Sequence, residues 1–195
     1  MKPFIIFFQS EKPLVPFLGI KVGKILRSLM ERFLSKKALP DNLKLSSLFI
    51  VDIDKLSDQL PIDKVFIGYS AKSQLAKSEV TGEKETNFRM ECVLCYKTLI
   101  NKLREQSPLQ YEFIRQICCL NPNYISSHPN SSISKFENIL TIMLGNNYLK
   151  GDECDELRTQ FKDFIKLSRV EYPTNFAKYD ALSDRLDDFF LVLLA

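Results

Sequence analysis

Apolar residues recur at three- and four-residue spacing along most of this chain, and that period constrains the fold more than any other feature. Leu18, Val22, Ile25, Leu29 and Phe33 form one such stripe, and Phe88, Cys92, Cys95, Leu99 and Leu103 form another. Ile133, Phe136, Leu140 and Met143 form a third, and Cys154, Leu157, Phe161, Phe164 and Ile165 a fourth. Each line follows one face of a helix, whereas a half-buried strand would alternate every second residue. The predicted fold is therefore all-α, with about six to eight helices and little or no strand. The punctuation agrees. Prolines break the chain at 13–16, Pro40 bounds the first long helix, Ser107-Pro108 separates two helices, and Gly145-Asn146-Asn147 stops another.

Less periodic stretches complete the reading. Phe17 to Lys37 is predicted as one helix. Leu48–Val51 and Val65–Tyr69 are candidate short strands without hairpin partners, and Ser70–Lys77 is a short helix. Residues 81–85 and 121–130 read as polar loops, and residues 108–120 as one helix burying Leu109, Phe113, Ile117 and Leu120. Asp152 is the expected cap of the helix that follows. Thr174 is the expected cap of a last helix carrying Tyr179, Leu182, Leu186, Phe189, Phe190 and Leu193. At 195 residues, a single helical domain is expected, with an entry element over 1–16, a body over 17–170 and a terminal helix over 174–195. A chain of this size buries roughly 70% of its unfolded surface and folds without metal or disulfide.

The net charge of +3 carries little information by itself, but its distribution is uneven. Residues 11–37 hold seven basic residues against two acidic, a net of +5, whereas residues 152–195 hold ten acidic against six basic, a net of −4. Lys21, Lys24, Arg27, Arg32 and Lys36 fall off the apolar stripe of the first long helix and are the candidates for contact with DNA phosphates. A second candidate surface is the apolar terminus: Phe189, Phe190, Val192 and Leu193 would serve a protein partner or self-association. No apolar run reaches the length of a membrane span. Five cysteines and no secretory leader point to reduced thiols in an intracellular protein, nuclear or cytoplasmic.

Several chemistries fail on residue count. Cys92-x-x-Cys95 has metal-type spacing, but zinc needs a second ligand pair and both thiols fall on the apolar stripe. Ser126-Ser127-His128-Pro129 holds the one histidine, with no nucleophile marked beside it. Gly19 to Lys24 lacks a spacer for a phosphate loop and has Ile25 where a hydroxyl must meet magnesium. Asp52 and Asp54 follow a candidate strand as nuclease metal ligands do, without the further carboxylates such a site needs. The expectation is a protein with no metal, no cofactor and no catalytic site.

One ordered set of segments carries a resemblance: Phe8-Gln9-Ser10-Glu11-Lys12-Pro13-Leu14-Val15-Pro16-Phe17-Leu18, Leu26-Arg27-Ser28-Leu29-Met30-Glu31-Arg32-Phe33, Phe66-Ile67-Gly68-Tyr69-Ser70-Ala71-Lys72, Phe88-Arg89-Met90-Glu91-Cys92, Ser107-Pro108-Leu109 and Cys119-Leu120-Asn121-Pro122. The order resembles the later part of transposon-derived proteins similar to hAT-type transposases, from about Phe4 to Phe190. The resemblance implies that the chain corresponds to the helical insertion of such a protein. The first two metal-binding carboxylates of the ribonuclease-H-like core would then lie upstream of Met1. The segment similar to A-x-x-E-R-x-F-S that bears the third would lie beyond Ala195. It implies a helical domain without catalysis, in contact with DNA backbone or a protein partner, or else a decayed transposon fragment with no selected role.

Overall fold

The structure, a computed structural model, describes every residue except 1, 10, 41–44, 78–81, 171–172 and 195. It describes no side chain at 2–3, 167–170, 173, 177 or 192–194. Among the described residues there are eleven α-helices, several short 3-10 turns and no strand. The β-type pairing found is an isolated bridge between Leu34 and Gln59. The all-α fold read from the sequence is therefore correct, with more and shorter helices than expected. The candidate strand at Leu48–Val51 is instead the end of a helix, and Val65–Gly68 is irregular chain leading into another. No helix of the described residues is long and apolar enough to cross a membrane.

The helices are α1 (Lys2–Phe8), α2 (Val15–Met30), α3 (Leu45–Phe49), α4 (Tyr69–Lys77), α5 (Gly82–Gln106), α6 (Glu112–Gln116), α7 (Pro122–Ser127), α8 (Pro129–Gly145), α9 (Gly151–Val170), α10 (Pro173–Lys178) and α11 (Leu186–Leu194). The chain divides into two compact units, one of residues Ile20–Ser107 and one of Met1–Gly19 with Pro108–Ala195. These bounds differ from the segments read off the sequence.

In the unit of residues 20–107, α2 ends at Met30, seven residues before the expected helix end. The chain leaves the helix because Phe33 and Leu34 are both buried and the backbone finds partners elsewhere. Ser35 N–H donates to Asp58 O at 2.8 Å, and Leu60 N–H donates to Phe33 O at 2.8 Å. Lys36 and Lys37 consequently sit in a 3-10 turn rather than on the helix.

The long helix α5 organises this unit. Its deeply buried positions are Arg89, Tyr96 and Ile100, whereas Phe88 and Cys95 of the expected stripe are exposed. The face is rotated by about one residue, or 100°. The reason is chemical. Arg89 Nη1 donates to Val65 O at 2.9 Å and Nη2 pairs with Glu85 at 2.7 Å. Tyr96 Oη donates to Phe66 O at 2.8 Å, and Arg104 Nη2 donates to Leu48 O at 2.9 Å and Val51 O at 2.8 Å. Polar-tipped side chains thus take the inner face, because the irregular chain against it has carbonyls that no helix or ladder satisfies.

Among the described residues, two apolar clusters belong to the other unit. Cys119, Ile125, Ile139, Phe161, Ile165 and Phe176 form one, with Phe136 stacked on Phe161 at 4.0 Å between ring centroids. Phe7, Leu14, Phe17, Tyr179 and Leu186 form the other. The stripe of α9 reads as expected, with Phe161 and Ile165 buried and Leu157 and Phe164 half-buried.

Local details depart from the sequence reading where small polar side chains decide. Residues 122–127 form α7 rather than a loop, because Asn121 caps the helix by accepting the Asn123 N–H at 3.0 Å and Pro122 occupies its first turn. Residues 108–120 form a short helix between two 3-10 turns rather than one helix. Residues 82–85 open α5; Thr81 lies outside the described residues. Glu153, not Asp152, closes the start of α9, reaching back to accept the Lys150 N–H at 2.7 Å. The expected last helix is split, since Asp180 accepts the Leu182 N–H at 3.1 Å and Asp184 accepts the Asp180 N–H at 2.8 Å, turns that compete with helix. Thr174 lies inside α10 and is not a cap.

Candidate nucleic-acid interface

The five cations read from the sequence do not form one presented set. Lys24 is exposed on α2, and Lys36 is exposed beyond its end, beside the equally exposed Lys37. Lys21 is half-buried and not without a partner. The two arginines are turned to structural use. Arg27 Nε pairs with Glu31 at 2.9 Å, and its Nη1 donates to Pro40 O at 2.6 Å. The Arg32 guanidinium lies 5.4 Å from the Phe66 ring centroid and 5.2 Å from that of Tyr96. A planar guanidinium suits bidentate carbonyl bonding and ring stacking better than an ammonium, which is why the arginines turn inward while the lysines stay in water. Both arginines thus have partners within the fold, whereas Lys24 and Lys36 are exposed.

Further exposed lysines belong to the same unit. Helix α4 contains Lys72 and Lys77 and no acidic residue, and both amines are exposed, as is Lys64 before it. Among the described residues, Lys24, Lys36, Lys37, Lys64, Lys72 and Lys77 make no ion pair. By sequence, residues 20–107 hold sixteen basic and eleven acidic residues, a net of +5, against eleven and thirteen in the rest, a net of −2. The run of lysines after residue 60 escaped the sequence reading because it is spread across a turn and a helix rather than gathered in one stretch.

The apolar terminus is not an open surface at the two phenylalanines. The Phe189 ring meets Phe176 at 5.0 Å and Tyr179 at 5.1 Å, both edge to face or nearly so, and the Phe190 ring lies 5.5 Å from Phe164. Both side chains are half-buried and pack against their own core. Leu191 beside them is 66% exposed. The side chains of Val192 and Leu193 lie outside the described residues.

The residues weighed for other chemistry have structural surroundings. Asp52 accepts the Asp54 N–H at 2.9 Å, and Asp54 pairs with Lys97 at 2.7 Å. The exposed His128 ring stacks on Tyr124 at 4.9 Å. Cys92 is half-buried and Cys95 exposed on α5, and burial, then the neighbouring Cys95, pushes the Cys92 thiol up. Burial pushes Cys119 up to about 12, so it behaves as a small core hydrophobe. Among the described residues no three His, Cys, Asp or Glu side chains gather as a metal site would require.

One cleft belongs to the unit of residues 20–107. It measures about 240 Å³ and lies between α5 and the irregular chain, with Phe33, Leu60, Ile62, Val65, Met90, Leu94 and Lys97 among its lining residues. Comparison with protein-family profiles, with curated proteins and with solved structures finds no match to the chain.

Proposed function

We propose that this chain is a non-catalytic helical domain of hAT-type transposase descent that contacts nucleic-acid backbone through the lysines of residues 20–107. The carrying observation is the set of exposed amines, Lys24, Lys36 and Lys37 together with Lys72 and Lys77, without ion pairs among the described residues. Strongly hydrated ammonium groups left in water are what a phosphate backbone recruits, since each contact releases a condensed counterion. The ordered segments quoted above and the all-helical architecture support the descent, and the inward arginines restrict the contact to point charges that do not read sequence.

Titration of duplex DNA at low salt tests the reading. With three to five phosphate contacts, the slope of log affinity against log salt is expected near −3 to −4.5. Replacing Lys24, Lys36 and Lys37 by Gln should reduce its magnitude by about 2.7 while leaving the helical circular dichroism intact. Absence of binding at low salt would remove the proposal.

A second reading, a protein-interaction module, is favoured by the cleft on α5. Its 240 Å³ falls below the roughly 300–1,000 Å³ of metabolite sites. It therefore suits one large apolar side chain anchoring a partner segment. Met90→Gln with Leu94→Gln, which adds no charge, should abolish such an association and leave the DNA salt slope unchanged.

A further inference from the structure

Two aromatic rings stand in the unit of residues 20–107 where the fold has no use for their exposure. Tyr69 is 83% exposed and Phe66 40% exposed. Their centroids are 5.7 Å apart at 80°, so the edge of one ring meets the face of the other. The presentation is built rather than incidental. The Phe66 backbone is pinned on both sides, its N–H donating to Arg32 O at 2.9 Å and its carbonyl accepting from Tyr96 Oη at 2.8 Å. The Arg32 guanidinium covers the Phe66 ring at 5.4 Å. Gly68 then turns the chain at φ +92°, a conformation that side chains disfavour, and its carbonyl accepts the Lys72 N–H at 3.0 Å. That turn sets Tyr69 as the first residue of α4, with the exposed Lys72 one turn onward on the same face.

We infer that Phe66, Tyr69 and Lys72 form a stacking platform for the bases of a single-stranded nucleic acid. A fixed, open aromatic face beside an amine is the combination by which single strands are held without sequence preference: the ring takes a base, the ammonium a phosphate. Duplex bases already stack on one another and cannot use the ring, so this surface selects unpaired strands. The charge agrees, because α4 has two lysines and no carboxylate. The inference rests on the nucleic-acid reading above and sharpens it from backbone contact to unpaired strands.

The full chain is titrated by fluorescence anisotropy with oligothymidylate, oligouridylate and a duplex of matched length, at low salt and across a salt series. Both single strands are expected to bind more tightly than the duplex, since the ring reads base faces present in either polymer. Tyr69→Ala should weaken single-strand binding by about fivefold or more, the lower end of what one stacked base contributes. Tyr69→Phe should retain it, because the ring and not the hydroxyl does the stacking. Lys72→Gln should lower the single-strand salt slope by about 0.7. Unchanged single-strand binding in Tyr69→Ala, with unaltered circular dichroism, overturns the platform, as does a Tyr69→Phe variant as weak as the alanine. Duplex binding equal to single-strand binding, insensitive to Tyr69, overturns it while leaving the backbone reading standing. No binding to any of the three polymers overturns both.

Discussion

Ile100 and Leu99 are adjacent on α5, yet only Ile100 is fully buried, at 0% exposure. Truncation to Ala should therefore cost about 2–5 kcal/mol at Ile100 and distinctly less at Leu99, measured by urea unfolding. Equal losses would mean that the inner face of α5 is misplaced. A reading by apolar spacing selects Leu99, because it skips Arg89 and Tyr96 as polar. Those two side chains define the inner face by combining apolar stems with donor tips that reach Val65 O and Phe66 O. Arg27 and Arg32 illustrate the same blind spot. Charge is visible in a sequence, but whether a guanidinium meets solvent or a carbonyl is decided by distant residues such as Pro40 and Phe66. The lysines, with no rigid fork to place, stay outside as the pattern suggests.

Helix boundaries depend on single capping groups. After α8, Asn147 adopts φ 58°, and Tyr148 N–H donates back to Met143 O at 2.9 Å while Asn147 N–H donates to Leu144 O at 3.0 Å. This pattern satisfies the last carbonyls of the helix through one left-handed residue. Asn147→Gly should leave the melting temperature unchanged or raise it, whereas Asn147→Val should cost about 1–2 kcal/mol. Similar losses for both substitutions would sink the assignment. This stop was legible, since Gly-Asn-Asn is strong punctuation, although Asn147 rather than Gly145 supplies the turn. The start of α7 was hidden: Asn121-Pro122 reads equally as loop or as cap plus first turn, and the burial of Ile125 that selects the helix is not a local property. The break between α10 and α11 was hidden likewise, because the turns around Asp180 interrupt an apolar spacing that continues across them.

Over the whole chain, the helical class was legible because four long stripes at a period near 3.6 leave little room for sheet. The division into two units was not, since residues 1–19 and 108–195 come together only in space. The oppositely charged stretches were visible, but the presented cations are redistributed from one helix to a turn and a second helix. The irregular chain from Leu45 to Gly68 has no ladder and few helical turns. Its carbonyls at Leu48, Val51, Val65 and Phe66 are instead met by Arg104, Arg89 and Tyr96 of α5. The order of some two dozen residues thus rests on side chains of one helix together with backbone bonds to residues 32–35. In amide hydrogen exchange, residues 45–68 should become unprotected as a group whenever α5 detaches, rather than fraying one by one. Tyr96→Phe, which removes one donor and leaves the packing, should accelerate exchange across that group while amides of α8 keep their wild-type rates. For this unit, then, the cooperative element is a helix together with the loop it helps to hold, and a substitution on the inner face of α5 reports its damage 24 to 56 residues earlier in the chain.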